Sequence, residues 1–448
     1  MAKDLTQGAI APWLYRLTAP MVLGIMAMFL FNLVDTYFIS LLGTQPLAAI
    51  SFTFPVTMLV INMGIGLSIA TGAVVARALG QKDQQQTTLW ISSSFYLAIL
   101  IALILMTIGL TFQDTIFQLL GAGPELLPLI SAYMTWWFAG SVLLIILIVV
   151  NASVRATGNT KLPSLVMLFS ALLNGILDPL LIFGIGPFPE LGIKGAAIAT
   201  LISWLLALLL IMRFMIRNQL ISFGLNTDFI NSWKKLVSLG VPAAFTNMLG
   251  PLANGLLVAW VAQYGTTAIA AYGVGSRLEP LALIVVMAFT ASLPPFVGQN
   301  HGAGEHKRIE EALVKSMQFI MIWQLLVYAA MAIMAEPISL LFSDDANVRE
   351  VIKTFIYILP ISYFGLGFSL VTTATINSLH KPRISLLINA LRLFIFYIPL
   401  AWIGNHYWGL TGLFWGCAMA NLMVGLTVML LFNKVRNHQG LRNKLLEV

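Results

Sequence analysis

The sequence predicts an all-α membrane protein with twelve transmembrane helices arranged in two six-helix, pseudo-symmetric lobes. Of its 448 residues, 59% are hydrophobic and only 9% are charged, whereas soluble domains carry about 25% charged residues. The apolar runs are long and continuous, and the second half repeats landmarks of the first. This composition excludes an ordinary soluble enzyme, a secreted disulfide scaffold and a disordered chain. A single cysteine, Cys417, excludes an intrachain disulfide.

The spans follow from apolar windows bounded by polar residues, glycine or proline, because about 20 apolar residues cross the hydrocarbon core as a helix. Helices are expected because lipid offers no partner to an open strand edge, and a barrel would show alternation. In chain order the predicted spans are 16–42, 46–76, 87–110, 127–152, 162–184, 193–216, 234–262, 267–298, 311–335, 351–377, 383–404 and 408–433.

The orientation follows from the basic residues. With the N-terminus inside, nineteen of the 24 Lys and Arg residues fall on inner segments, and only Lys194, Arg349 and Lys353 fall on outer ones. Lys and Arg accumulate on the cytoplasmic side, so both termini are expected in the cytoplasm, with the chain in a bacterial inner (plasma) membrane. We expect a monomer surrounded by the lipid bilayer. Because the net charge of +7 is distributed by membrane side, no nucleic-acid partner is expected.

An internal repeat divides the chain. A shift of 222 residues places Pro20 on Pro242, Gly43 on Gly265 and Gly80 on Gly302 without a gap. An even number of spans per half gives both halves one orientation, so the predicted symmetry axis lies along the membrane normal, as in a known class of transporters. The predicted N-terminal lobe is 1–216, the cytoplasmic linker 217–233 and the C-terminal lobe 234–448.

Two acids inside the first lobe are the main candidate site. Asp35 lies eight residues before Gly43, and Asp178 lies six residues before Gly184, which places both in the outer half of their spans at 1.5 Å per residue. Asn174 shares a helix face with Asp178, and Asn32 shares one with Asp35. Burial disfavours a charged carboxylate, so such a cluster suits proton or cation exchange. A static patch that pins helix packing is the alternative.

Other irregular residues lie within the spans. Arg277, Glu279 and Arg392 are ionisable, and we expect them either to extend towards a membrane surface or to line a cavity in the second lobe. Pro20 removes one backbone hydrogen bond from the first span, which allows a kink below Asp35.

The sequence also argues against enzymatic chemistry. It has no GxxxxGK[ST] loop, no GxSxG or HExxH motif, and no histidine spacing typical of a metal site. Asp35 and Asp178 lack the Gly-x-Gly-Asp pattern of intramembrane aspartic proteases. We therefore expect a protein that is not an enzyme and that holds neither a metal nor an organic cofactor.

Several motifs resemble the multidrug and toxic compound extrusion (MATE) transporters, and the resemblance extends over nearly the whole chain. Its most specific part is the Asn-Gly-x-x-Asp-Pro run in the fifth span. The motifs that carry it are 34–39, 47–50, 76–80, 155–160, 174–184, 192–200, 297–300 and 302–304.

The resemblance implies a cation-coupled antiporter that exports amphiphilic, often cationic, drugs by alternating access. The acids match the DinF-like branch, in which Asp35 and Asp178 would bind the coupling ion; H⁺ is favoured, with Na⁺ as the alternative. That branch implies bending of the first span at Pro20. The alternative function is a flippase for a lipid-linked precursor. The branch also places a polar network around the acids at Asn174, Tyr37, Asn151, Tyr133 and Thr200.

Overall fold

The computed structural model describes residues 3–222, 224 and 229–437, and its regular structure throughout these residues is helical. The described part of the chain contains no β-strand. Fifteen α-helices follow one another: α1 Ile10–Ser40, α2 Thr44–Gly80, α3 Gln84–Leu119, α4 Leu127–Ala156, α5 Lys161–Phe183, α6 Ile193–Arg217, α7 Phe229–Ala262, α8 Thr266–Ala282, α9 Ile284–Gly302, α10 His306–Ile333, α11 Ala335–Phe342, α12 Ala346–Ile358, α13 Tyr363–Ser378, α14 Pro382–Leu391 and α15 Ile398–Asn437.

The twelve predicted spans are confirmed, although several are interrupted. Ten continuous helical stretches of the described residues are long and apolar enough to cross a membrane, and the bent pair α8–α9 supplies an eleventh. The longest stretch, Pro382–Phe432, has 51 residues, which is more than twice the length that one crossing needs. Its backbone leaves helical geometry at Trp408 and Gly409, so it divides there into two spans.

The eighth predicted span, 267–298, is a broken helix. Helices α8 and α9 meet at Leu283 with a bend of 42°, and Pro280 lies just before the break. A break leaves carbonyl groups without their helical partners. The buried amide of Gln324 on α10 donates to the Ala282 carbonyl at 3.1 Å, so a side chain of a neighbouring helix satisfies one of them.

Two further irregularities lie in the second half of the chain. A 3₁₀ turn, Pro360–Ser362, joins α12 to α13 within the tenth predicted span. A π-helical turn, Arg392–Tyr397, joins α14 to α15 within the eleventh. Turns of this kind occur frequently at functional sites.

The chain divides into two compact units. Unit 1 contains residues 1–5 and 19–244, and unit 2 contains 6–18 and 245–448. Helices α1 and α7 therefore each contribute to both units, and their divisions fall next to the repeated Pro20 and Pro242. The predicted lobe boundaries at 216 and 234 stay predictions.

In unit 1, α4 is the most deeply buried span, with 72% of its apolar window inside the structure. It packs against α2, α3 and α6. The predicted linker 217–233 is anchored to α3: the Ser222 amide donates to Ser92 Oγ at 2.9 Å, and the Trp233 indole donates to the Ser93 carbonyl at 3.0 Å. Residues 223 and 225–228 of that linker lie outside the described residues, as do both chain ends, 1–2 and 438–448.

Candidate functional site

The structure brings together the two acids that lie 143 positions apart in the sequence. Asp35 on α1 and Asp178 on α5 have their carboxyl groups within hydrogen-bonding reach of each other. Asp178 is completely buried. Two carboxylates in contact in a medium of low dielectric constant cannot both be ionised at little cost. The pair therefore has the geometry to share a proton or to bind a small cation.

Asn174 and Thr200 complete the surroundings of Asp178. With its amide nitrogen oriented towards the carboxylate, Asn174 donates to Asp178 Oδ2 at 2.8 Å. Its oxygen then accepts from both the backbone nitrogen and the hydroxyl of Thr200 on α6, each at 3.0 Å. This is the amide orientation that satisfies every group, which is how such amides are assigned. Helices α5 and α6 thus hold Asp178 in one position.

The polar cluster has a buried phenol beside it. Tyr133 on α4 is 8% exposed and lies close enough to Asp35 and Asp178 to interact with the charge of each. The Oδ1 atom of Asp35 is buried, and no N–H or neutral hydroxyl group of the described residues donates to it. A proton shared with Asp178, or a bound cation, would supply this missing partner.

Three other candidates lie outside this hydrogen-bonded cluster. Tyr37 is 60% exposed, because it lies two residues beyond Asp35 and therefore points to another side of α1. Asn32 is exposed and donates to the Met28 carbonyl of its own helix. Asn151 on α4 is buried, but its Oδ1 has no hydrogen-bond partner among the described residues. The roles of Tyr37 and Asn151 stay predictions.

Pro20 lies inside a continuous α1. Its carbonyl accepts a hydrogen bond from the hydroxyl of Ser164, at the start of α5. One turn further along, Gly24 faces the same serine so closely that a Cβ atom there would lie 3.0 Å from its Cα. The first and fifth spans therefore touch just above the proline, where α1 has one backbone hydrogen bond fewer.

Unit 2 contains a second polar group, which sequence reasoning identified only through Glu279. The Glu279 carboxylate accepts from the Tyr363 hydroxyl at 3.4 Å, and the Tyr272 hydroxyl donates to Asn254 Oδ1 at 2.6 Å. A cavity with about 260 Å³ of unfilled space lies beside them. Its lining includes Tyr272, Glu279, Phe355, Tyr397, Phe414 and Cys417. No spacing rule indicated these tyrosines, because they come from separate helices.

The three irregular charges of unit 2 differ in their surroundings. Glu279 lines the cavity, Arg277 is exposed, and Arg392 is partly buried at the start of the π-helical turn. The Arg392 Nε atom is buried and has no hydrogen-bond partner among the described residues.

The sequence matches one family model twice, once in each half of the predicted repeat. The MatE model covers residues 20–180 and residues 242–403. The chain belongs to the MATE family. The predicted resemblance is thereby confirmed, and the protein is a multi-pass membrane transporter. The two matches correspond to the repeat that a shift of 222 residues indicates.

Two relatives and two solved structures cover nearly all of this MATE transporter. It is 40% identical over 436 residues to a protein of Shewanella oneidensis named FAD transporter, covering 96% of each chain. It is 29% identical over 427 residues to multidrug export protein MepA of Staphylococcus aureus, covering 93% of this chain and 92% of MepA. Two crystal structures of the Vibrio cholerae MATE transporter VcmN are 33% identical. The D35N mutant has a TM-score of 0.92, with 96% of this chain and 98% of that one covered. The bent form has a TM-score of 0.91, with 97% and 98% covered.

Proposed function

We propose that this MATE transporter is a cation-coupled antiporter in a bacterial inner membrane, with both termini in the cytoplasm. The observation that carries the proposal is the Asp35–Asp178 pair, an unpaired acidic site inside membrane-spanning helices with Asn174 and Thr200 around it. Ionisable groups at such positions mark ion pathways and proton relays in transporters. The proposed coupling ion is H⁺, and Na⁺ at the same carboxylates is the alternative.

Coupling follows from competition for one conformational equilibrium. A proton or cation on the Asp35–Asp178 pair removes the repulsion between the carboxylates and favours closer packing of α1 on α5. Ionised acids favour the state that admits substrate. Each cation moving inward contributes about 2.3 kcal/mol per 100 mV of membrane potential, and the ligand shifts the populations only through its differential affinity for the two states.

Pro20 is the proposed hinge of this change. It weakens α1 at the level where Ser164 and Gly24 make their contact, so the part of the helix that carries Asp35 can bend without breaking a complete hydrogen-bond ladder. Tyr133 supplies a buried hydroxyl beside both acids. Asn151 and Tyr37 are proposed as polar contacts of the substrate path, since neither contacts the acids in this structure.

The proposed substrates are amphiphilic organic molecules, and two classes have support. Amphiphilic cations suit the acids of unit 1, and one relative is named a multidrug export protein. A flavin dinucleotide is the second class, because the relative at 40% identity is named FAD transporter. A flippase acting on a lipid-linked precursor is the remaining alternative.

Everted membrane vesicles with a respiration-driven pH gradient test the coupling. A quenched weak-base dye reports the gradient while lipophilic cations, FAD or Na⁺ are added separately. We expect substrate-induced dye recovery in the wild type and loss of at least 90% of it in Asp35→Asn. Asp114→Asn is the matched control, because Asp114 is exposed on α3 and should leave recovery intact. Normal recovery in a well-expressed Asp35→Asn variant would refute the proposal. Recovery driven by Na⁺ alone would assign sodium as the coupling ion.

A further inference from the structure

Arg392 is a cation without a bound partner inside a predicted span. It makes no ion pair or hydrogen bond among the described residues, and its Nε is shielded from solvent. A charged side chain at the centre of a membrane helix costs about 2.5–3.5 kcal/mol on insertion scales, and a buried donor left unpaired adds to that cost. A static packing role does not explain a residue whose donor is left unused.

The backbone at this residue is also irregular. Arg392 begins the π-helical turn that ends at Tyr397. Such a turn is a rare insertion within an α-helix, and it recurs at functional sites because it redirects side chains. Tyr397 lines the cavity of unit 2, so the turn connects the arginine to the cavity wall.

The charged and titratable groups near the guanidinium are Glu279 and Tyr397, both close enough to interact with its charge. Glu279 is beyond salt-bridge distance and accepts instead from the Tyr363 hydroxyl. Arg392 is therefore electrostatically attracted to an acid that does not neutralise it by contact. An incoming anion would find its donor groups free.

The opposite side of the cavity is aromatic. Tyr272 and Phe355 meet edge to face with ring centroids 6.2 Å apart, and Phe355 meets Phe414 in the same way at 5.5 Å. All three rings line the cavity. A planar aromatic ligand can pack against such a wall, while the guanidinium offers paired donors that match phosphate oxygens.

We propose that Arg392 and the aromatic cavity of unit 2 form a binding site for an organic phosphate that carries a planar ring system. The guanidinium binds the phosphate oxygens, and Tyr272, Phe355 and Phe414 contact the ring. This proposal rests on the proposed export function and names a substrate class for it. The phosphate could belong to a soluble dinucleotide such as FAD or to the headgroup of a lipid.

Binding to the purified, full-length transporter in lipid nanodiscs tests the site. FAD, FMN and riboflavin serve as probes, since riboflavin has the ring without the phosphate. In Arg392→Met we expect the Kd for FAD and FMN to rise at least tenfold, with an intermediate rise in Arg392→Lys. The Kd for riboflavin should stay within twofold of the wild type. Arg277→Met is the matched control, because Arg277 is an exposed arginine of the same unit, and it should bind all three probes normally.

Two outcomes would overturn the proposal: unchanged FAD affinity in Arg392→Met, or an equal loss for riboflavin in a variant that stays monodisperse. Vesicles that contain a short-chain fluorescent phosphatidic acid distinguish the two sources. Arg392-dependent flipping of that lipid, without FAD binding, keeps the phosphate site and assigns it to lipid. Asp35→Asn separates this proposal from the coupling proposal, because it should keep FAD binding while losing gradient-driven transport.

Discussion

An amide rather than a third acid stands beside the Asp35–Asp178 pair. Only an amide can donate to Asp178 Oδ2 and at the same time accept from Thr200, as Asn174 does. A carboxylate at position 174 would add a third like charge, and an apolar side chain would leave Asp178 without its donor. One side chain thus sets both the position and the electrostatic balance of the pair.

Replacing this amide should therefore impair transport. We expect Asn174→Leu to lower the initial rate of coupled export by at least tenfold, because a hydrogen bond to a charged group contributes about 1.5–3 kcal/mol. The rate is measured in proteoliposomes at equal protein content. Asn62→Leu is the control, since Asn62 is also buried in unit 1 but donates to the Met58 carbonyl of its own helix. Equal rates in Asn174→Leu and wild type would contradict the assignment.

Among the helices, α1 is the element whose flexibility the mechanism requires. Pro20→Ala restores a backbone donor in the middle of α1 and should stiffen it. We expect slower turnover with nearly unchanged substrate affinity, measured as the transport rate against the Kd of the same preparation. Pro55→Ala, which removes a proline from α2, is the control. A rate at or above the wild-type value in Pro20→Ala would exclude a hinge at this position.

The break between α8 and α9 makes a different demand, on stability. In Gln324→Leu the Ala282 carbonyl loses its side-chain donor, and an unsatisfied buried acceptor costs about 1–3 kcal/mol. We expect a lower Tm in detergent, followed by tryptophan fluorescence. Gln318→Leu changes an exposed glutamine of the same helix and should leave Tm unchanged. If both variants melt at the wild-type temperature, the broken helix does not depend on Gln324.

Helix content and span number could be predicted from the sequence, because long apolar runs encode helices directly. The sequence indicated Asp35, Asp178 and Asn174 because acids are rare in spans and Asn174 shares a face with Asp178. It could not indicate the break at Leu283 or the π-helical turn at Arg392, since hydrophobicity does not record backbone dihedral angles. The cavity of unit 2 was also missed, because its tyrosines meet only through tertiary packing.

At the scale of the whole molecule, the charge distribution predicts which loops face the cytoplasm. In a Cys417→Ser background, which removes the single cysteine, a membrane-impermeant maleimide should label Glu190→Cys on intact cells and leave Gln81→Cys unlabelled. Both positions are exposed. Lysed cells should label both variants. Labelling of Gln81→Cys on intact cells would reverse the predicted topology.

The division of α1 and α7 between the units bears on how a duplicated chain of this kind could arise. Unit 1 takes residues 229–244 from the second half, and unit 2 takes residues 6–18 from the first. A single ancestral repeat would therefore lack the beginning of one helix in its own compact unit. It could complete that unit only by receiving the segment from a second copy, as in a domain-swapped dimer. Gene fusion would then have made the exchange intramolecular.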